Sequence, residues 1–243
     1  MLTLPLMLAL FGEIVEIQTD QLWTKQEIVY SVPNDPSLKT WDLIWAFPFR
    51  ISNGGEIYIT VHRCERTDVA SIYVKEDLYY RLLKQIRAGQ SWIKEPTAVW
   101  YTPGEDTKNW YKFIHITQVH PGTGHFLTEY VFVVERKRLR KVIFVRAPET
   151  LKGIIGESQG MWKGEGNTFA RDEITFGTSV YNEHDGNCCP SGGTITGTYK
   201  VFKEHRGETE IQTSTTGDEW EIPIESVIIE MDSYEWDPTD NPR

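Results

Sequence analysis

Cysteine is scarce in this chain, with Cys64, Cys188 and Cys189 the three examples in 243 residues. So small and odd a set excludes a disulfide framework as the basis of the fold, and a chain of this length buries a core without such staples. Positive charge is also short. The formal net charge of -10 opposes attraction to phosphate backbones and anionic lipid, so nucleic acid is not expected as a partner. Long apolar runs are missing too: "MLTLPLMLALF" at 1–11 is too short to cross a bilayer, and no transmembrane span is expected. That run is similar to the apolar core of a secretory signal peptide, although no Lys or Arg precedes it. Two readings follow. In the first, 1–12 is a truncated signal segment, favoured because Pro5 fits a central strand badly, and the mature protein begins near Glu13 outside the cytoplasm. In the second, the run is a buried opening strand of a cytoplasmic protein with three reduced thiols. No Pro-, Gly- or Ser-rich linker divides the chain. The expectation is one β-rich domain over 13–231, with room for two lobes near 102–109 ("TPGEDTKN" begins there), and a polar C-terminal tail at 232–243.

Aromatic residues are abundant. Nine Trp and eleven Tyr within a 40% hydrophobic composition indicate a globular chain rich in strands, and the tryptophans read as packing groups before ligand-groove linings. The dominant period is two. "WDLIWAFPFRI" places Trp41, Leu43, Trp45, Phe47, Phe49 and Ile51 on one face, with Pro48 marking an edge or bulge. Asn53, Gly54 and Gly55 turn the chain, and "EIYITVH" returns with Ile57, Ile59 and Val61 inward. Further strands are expected at 97–101, 110–119, 126–135, 139–145, 161–163, 173–181, 194–204, 208–214 and 220–230, with a short helix or loop near 148–155. The basic run "ERKRLRK" at 135–141 reads as a solvated hairpin tip. One stretch departs from the period. In "VKEDLYYRLLKQIRAG", Leu78, Leu82 and Ile86 stand four apart beside Tyr79 and Leu83, and Gly89 can end the run, which predicts an amphipathic helix over 75–88 packed on the sheet. The fold class is therefore all-β, an antiparallel meander forming a curved sheet, sandwich or open barrel, with one accessory amphipathic helix and no sign of a Rossmann unit or a parallel sheet.

The unusual stretch is "NEHDGNCCPSGG" at 182–193. A metal site here would use Cys188 and Cys189 with His184, Asp185 or Asn187, but zinc sites space paired cysteines two to four apart because adjacent side chains diverge. A remote variant adds His62 and Cys64 from one strand face. Asn182, Glu183, Asp185 and Asn187 offer oxygen ligands for calcium without the regular EF-hand series, and the ordinary reading is a polar turn whose Asp and Asn bond their own backbone. A thiolate nucleophile would need His184 within hydrogen-bond reach of Cys188, and no hydrolase signature surrounds the pair. No cofactor is expected. His115, His120 and His125 flank "HPGTG" and read as exposed turn histidines, with a His120–His125 metal pair as the sharper alternative.

The run "MWKGEG" at 161–166, a strand ending in Tyr181, "DGNCCPSGG" at 185–193 and "TGTYKV" at 196–201 together resemble the LppP/LprE-type bacterial lipoprotein family and related exported proteins. "GTGHFLTEYVFVV" at 122–134 is a weaker echo, and no lipobox cysteine stands near the N-terminus. The resemblance implies an extracytoplasmic address, periplasmic or secreted, and brings no catalytic residues with it. It carries both cysteines together, which favours a strained disulfide between Cys188 and Cys189 over a bridge from either to Cys64. The expected function is a non-catalytic cell-envelope module that binds a ligand or protein, with the cysteine loop as a structural clasp. The alternative is a metal- or thiol-dependent enzyme with its site on 182–193.

Overall fold

The structure, a computed structural model, describes residues 13–15, 22–33, 40–51, 55–101, 111–121, 127–135, 138–145, 160–170, 173–186, 189–204, 210–213, 219–222 and 227–238. The segments expected at 1–12, 102–109 and 148–155 lie outside them. The described chain is mostly strand, in antiparallel sheets that include a parallel pair. In order it forms β1 (Glu13–Val15), β2 (Leu22–Trp23), α1 (Lys25–Tyr30), β3 (Asp42–Arg50), β4 (Glu56–Cys64), β5 (Thr67–Glu76), β6 (Tyr79–Gly89), β7 (Trp92–Ile93) and β8 (Thr97–Tyr101). There follow β9 (Tyr111–Val119), β10 (Leu127–Glu135), β11 (Arg138–Val145), β12 (Gly160–Phe169), β13 (Ile174–Tyr181) and β14 (Thr194–Glu204). The last elements are β15 (Glu210–Thr213), β16 (Glu219–Ile222) and β17 (Val227–Asp237). Two compact units result. One comprises Met1–Ala98, Ile116–Pro121 and Val134–Leu139; the other comprises Val99–His115, Gly122–Val133 and Arg140–Arg243.

In the first unit the sheet runs β1-β6-β5-β4-β3, with β2 also on β6. The expected hairpin of β3 and β4 is present, and Ile57, Ile59 and Val61 are fully buried. Thr60 and His62, on the opposite face, are fully buried as well, so this part of the sheet is covered on both sides. A register shift between Leu43 and Trp45 breaks the expected single aromatic face. Trp45, Phe47 and Phe49 stack in sequence at 6.1 and 6.0 Å, whereas Leu43 falls opposite His62.

The helix expected over 75–88 is not formed. Residues 67–76 and 79–89 are instead the antiparallel pair β5 and β6, joined at Asp77 and Leu78. Leu78 is 84% exposed at the tip, a position incompatible with a buried helical stripe. A four-residue spacing of apolar side chains satisfies a strand as well as a helix, since four is a multiple of two. The register shift between Ile72 and Tyr73 leaves Leu83 as an extra residue in β6, and this bulge produces the rest of the helical appearance. The helix found among the described residues is α1. Thr24 and Glu27 close a capping box at its start, and Ile28, fully buried, packs with Tyr58, Tyr73, Tyr80 and Leu82.

In the second unit the strands run β12-β13-β14-β17-β11-β10-β9, with β8 on β9. Phe113, Val131, Val133, Val142, Ile174, Phe176, Val180, Ile195 and Tyr199 form its core. The path does not close by backbone pairing among the described residues, yet Phe169 on β12 reaches Phe113 on β9 at 5.7 Å, so the sheet curls until β12 meets β9 through side chains. Two expectations are corrected here. β11 pairs β17 in parallel, Val142 opposite Val227 through Val145 opposite Glu230. Residues 232–237, expected in a polar tail, continue β17 and pair with β14 as far as Asp237 opposite Thr194. Ladder hydrogen bonds hold a polar strand in place where composition alone suggested fraying.

Candidate functional site

The 182–193 loop joins β13 to β14. Its base is clamped by Val180 N–H donating to Gly193 O at 2.8 Å and Gly192 N–H donating to Val180 O at 2.9 Å. Gly193 holds φ +94°, and a Cβ there would collide with the Asp237 carbonyl and sit 2.6 Å from Pro238 Cα. Asp185 organises the interior of the loop. Its Oδ2 accepts from Asn182 N–H at 2.7 Å and Ser191 N–H at 2.8 Å, while Oδ1 accepts from the Ser191 hydroxyl at 2.6 Å. Asn182 Nδ2 donates to Ser191 Oγ at 2.8 Å. The Ser191 hydroxyl, followed by the Asn182 backbone, holds the Asp185 carboxyl below its ordinary value. The polar-turn reading of these residues is thus what the structure builds, with Asp185 and Asn182 bonded within the loop.

Of the expected ligand set, the structure brings Asp185 to Asn182 and Ser191 and leaves His184 and Glu183 exposed. Cys189 is exposed and its N–H donates to Gly186 O at 3.0 Å, whereas Asn187 and Cys188 lie outside the described residues. Cys64 ends β4 as a half-buried free thiol, so the bridge considered from Cys64 to the loop is not formed. No disulfide is formed among the described residues, and no three of their His, Cys, Asp or Glu side chains gather at metal-binding distance. Among those residues, no helix is long and apolar enough to cross a membrane.

A second polar cluster, not singled out by the sequence, lies in the second unit. His115 Nε2 meets Glu129 Oε1 at 2.7 Å, with each side chain 13% exposed. The same carboxylate accepts from Asn167 N–H at 2.9 and 3.0 Å and from Asn167 Nδ2 at 2.6 Å. The His115 ring lies against Phe169 at 4.8 Å. His115 is therefore not an exposed turn residue; it faces the curled sheet from within β9. His120 is also buried, and burial lowers its pKa. His125 lies outside the described residues. In the basic run, Arg138 and Lys141 are exposed but Arg140 is buried, which corrects the uniformly solvated tip, and 136–137 lie outside the described residues. The missed signal was periodic: His115 and Glu129 alternate in phase with Phe113 and Val131, placing polar groups on a core face.

Both clusters use their carboxylates to join backbone segments. Comparison with protein-family models, curated proteins and solved structures finds no match.

Proposed function

We propose that this chain is a non-catalytic binding or interaction module of the bacterial cell envelope, acting outside the cytoplasm, with 182–193 as a structural clasp. The observation that carries the reading is the engagement of Asp185. Both of its oxygens accept hydrogen bonds from Asn182 and Ser191, so the most obvious ligand or acid-base group of the loop is committed to shaping it. The extracytoplasmic address is supported by the LppP/LprE-like "NCCPS" motif and by the apolar run at 1–11. The clasp includes a disulfide between Cys188 and Cys189 in the oxidised protein. The alternative is a metal- or thiol-dependent enzyme centred on the same loop.

The deciding measurement is the intact mass of protein from its native cell, with and without alkylation under non-reducing conditions. A processed N-terminus and one alkylatable thiol, that of Cys64, are the expected result. Full length with three alkylated thiols would overturn both the address and the clasp. Elemental analysis separates the alternative: stoichiometric metal that disappears in His184→Ala would replace the clasp with a metal centre.

A further inference from the structure

A helix of six residues does not persist on its own in water, so α1 depends on what holds it to the sheet. Ile28 and Val32 supply buried apolar contact. Two side chains on the sheet then grip the backbone of this segment: His62 Nε2 donates to Val29 O at 2.9 Å, and Gln85 Nε2 donates to Pro33 O at 3.2 Å. A carbonyl only accepts, so the ring hydrogen of His62 is on Nε2 and Nδ1 is a bare acceptor. That Nδ1 is buried and has no hydrogen-bond partner.

The surrounding charges give a second proton no acceptor. On α1, the Glu27 carboxylate folds back on Thr24 N–H and Oγ1 at 2.7 and 2.8 Å, and Lys25 Nζ sits 5.4 Å from the Tyr58 ring centre. On β3, Asp42 stands opposite Arg63 rather than His62. On β4, Glu56 accepts from the Tyr80 hydroxyl at 3.1 Å. On β5, Asp68 holds Arg63 at 2.6 and 2.8 Å and Ile93 N–H at 2.8 Å. On β6, Arg87 lies over Trp41 at 5.8 Å.

We propose that residues 24–33 form an acid-released strap, in which a proton taken from water by His62 Nδ1 expels the imidazolium from its buried position, breaks the bond to Val29 and lifts α1. Release uncovers the face built by Tyr58, Tyr73, Tyr80 and Leu82. Burial holds the His62 pKa below its ordinary 6.5, against the opposing effect of the Val29 bond. A lowered folded pKa means that docking is at full strength above the ordinary value and weakens as pH falls below it.

The test is amide hydrogen exchange on the whole chain at about pH 7.5 and about pH 5, spanning the ordinary histidine range, with rates corrected for intrinsic exchange. The reporters are Ile28 N–H and Ser31 N–H, bonded to Thr24 O and Glu27 O. Their protection falls in acid, by up to about tenfold for each unit by which the His62 pKa is depressed. His62→Gln keeps an amide donor for Val29 and has nothing to titrate, so its protection is equal at both pH values. Equal protection in the wild type, or a full acid response in His62→Gln, overturns the strap. Should His62→Gln fail to fold, an NMR titration of the wild-type ring decides. A midpoint below 6.5 that coincides with amide opening sustains the proposal, and a midpoint at or above it, or one separate from opening, sinks it.

Discussion

Asp185 shows how one carboxylate can fix a loop while remaining at the surface. Its three acceptor contacts tie Asn182 to Ser191 across the stretch that contains the cysteine pair. Because the folded carboxyl is held below its ordinary value of 3.8, the contribution is present at neutral pH and disappears as acid protonates it. The Ser191 N–H resonance should therefore hold its position through mild acid and shift only beneath the ordinary aspartate range. Asp185→Ala should remove that late shift and increase Ser191 amide exchange at neutral pH. An unchanged Ser191 signal in the variant would show that the loop is shaped without this residue. Such a role was legible as the ordinary reading of an Asp–Gly turn, because Asx side chains bond backbone a few residues away. The partner Ser191 was not, since nothing in the spacing identifies which backbone N–H the oxygens will meet.

Among the elements, β12 leans on a side chain from another strand. Among the described residues it is an end strand paired with β13, and that ladder has two register shifts. Glu129 on β10 satisfies Asn167 N–H on the far side of the curl, doing what a neighbouring strand would otherwise do. Glu129→Ala leaves that N–H, the Asn167 amide and His115 without this acceptor. We expect a loss of roughly 2 kcal/mol in urea unfolding, in line with removing one partner from buried charged hydrogen bonds, and faster exchange at Asn167 N–H. A loss below about 0.5 kcal/mol, the scale of ordinary surface substitutions, would show that the seam is held by Phe169 alone.

The misplaced helix also belongs to this scale. Two-residue hairpins usually advertise themselves with Asn or Gly, but here Glu65 and Asp77 take positive φ of 57° and 54°. Without a turn signal at Asp77 and with a bulge at Leu83, β6 has the apolar spacing of a helix. Capping at α1 was equally quiet, because Thr24 caps only six helical residues, Glu27 among them, too few for periodicity to register.

For the whole molecule, the division into units does not follow the chain. Residues 116–121 and 134–139 belong with the first unit although more than fifteen positions separate them from its main body, which ends at Ala98. Within that unit, Trp92 pairs with Val119, Ile93 pairs with Gln118, and Gln118 Nε2 donates to Ser91 Oγ at 2.6 Å. A chain truncated to 1–101 loses all three. It should melt below the full-length protein and lose near-ultraviolet circular dichroism; a native-like melt would show that the later strands add nothing to this unit.

The sequence by itself determined the all-β class, most strand positions, the polar turn that Asp185 and Asn182 shape, and the unfavourable charge for nucleic acid. These depend on local alternation, backbone freedom and summed charge, which can be read along the chain. Only the tertiary structure decided the parallel pairing of β17 with β11, the meeting of β12 with β9 and β10, and the burial of His62 and His115. Strand order and the neighbours of a buried polar group are set by contacts between residues far apart in sequence, where many pairings satisfy the same alternation and packing selects one.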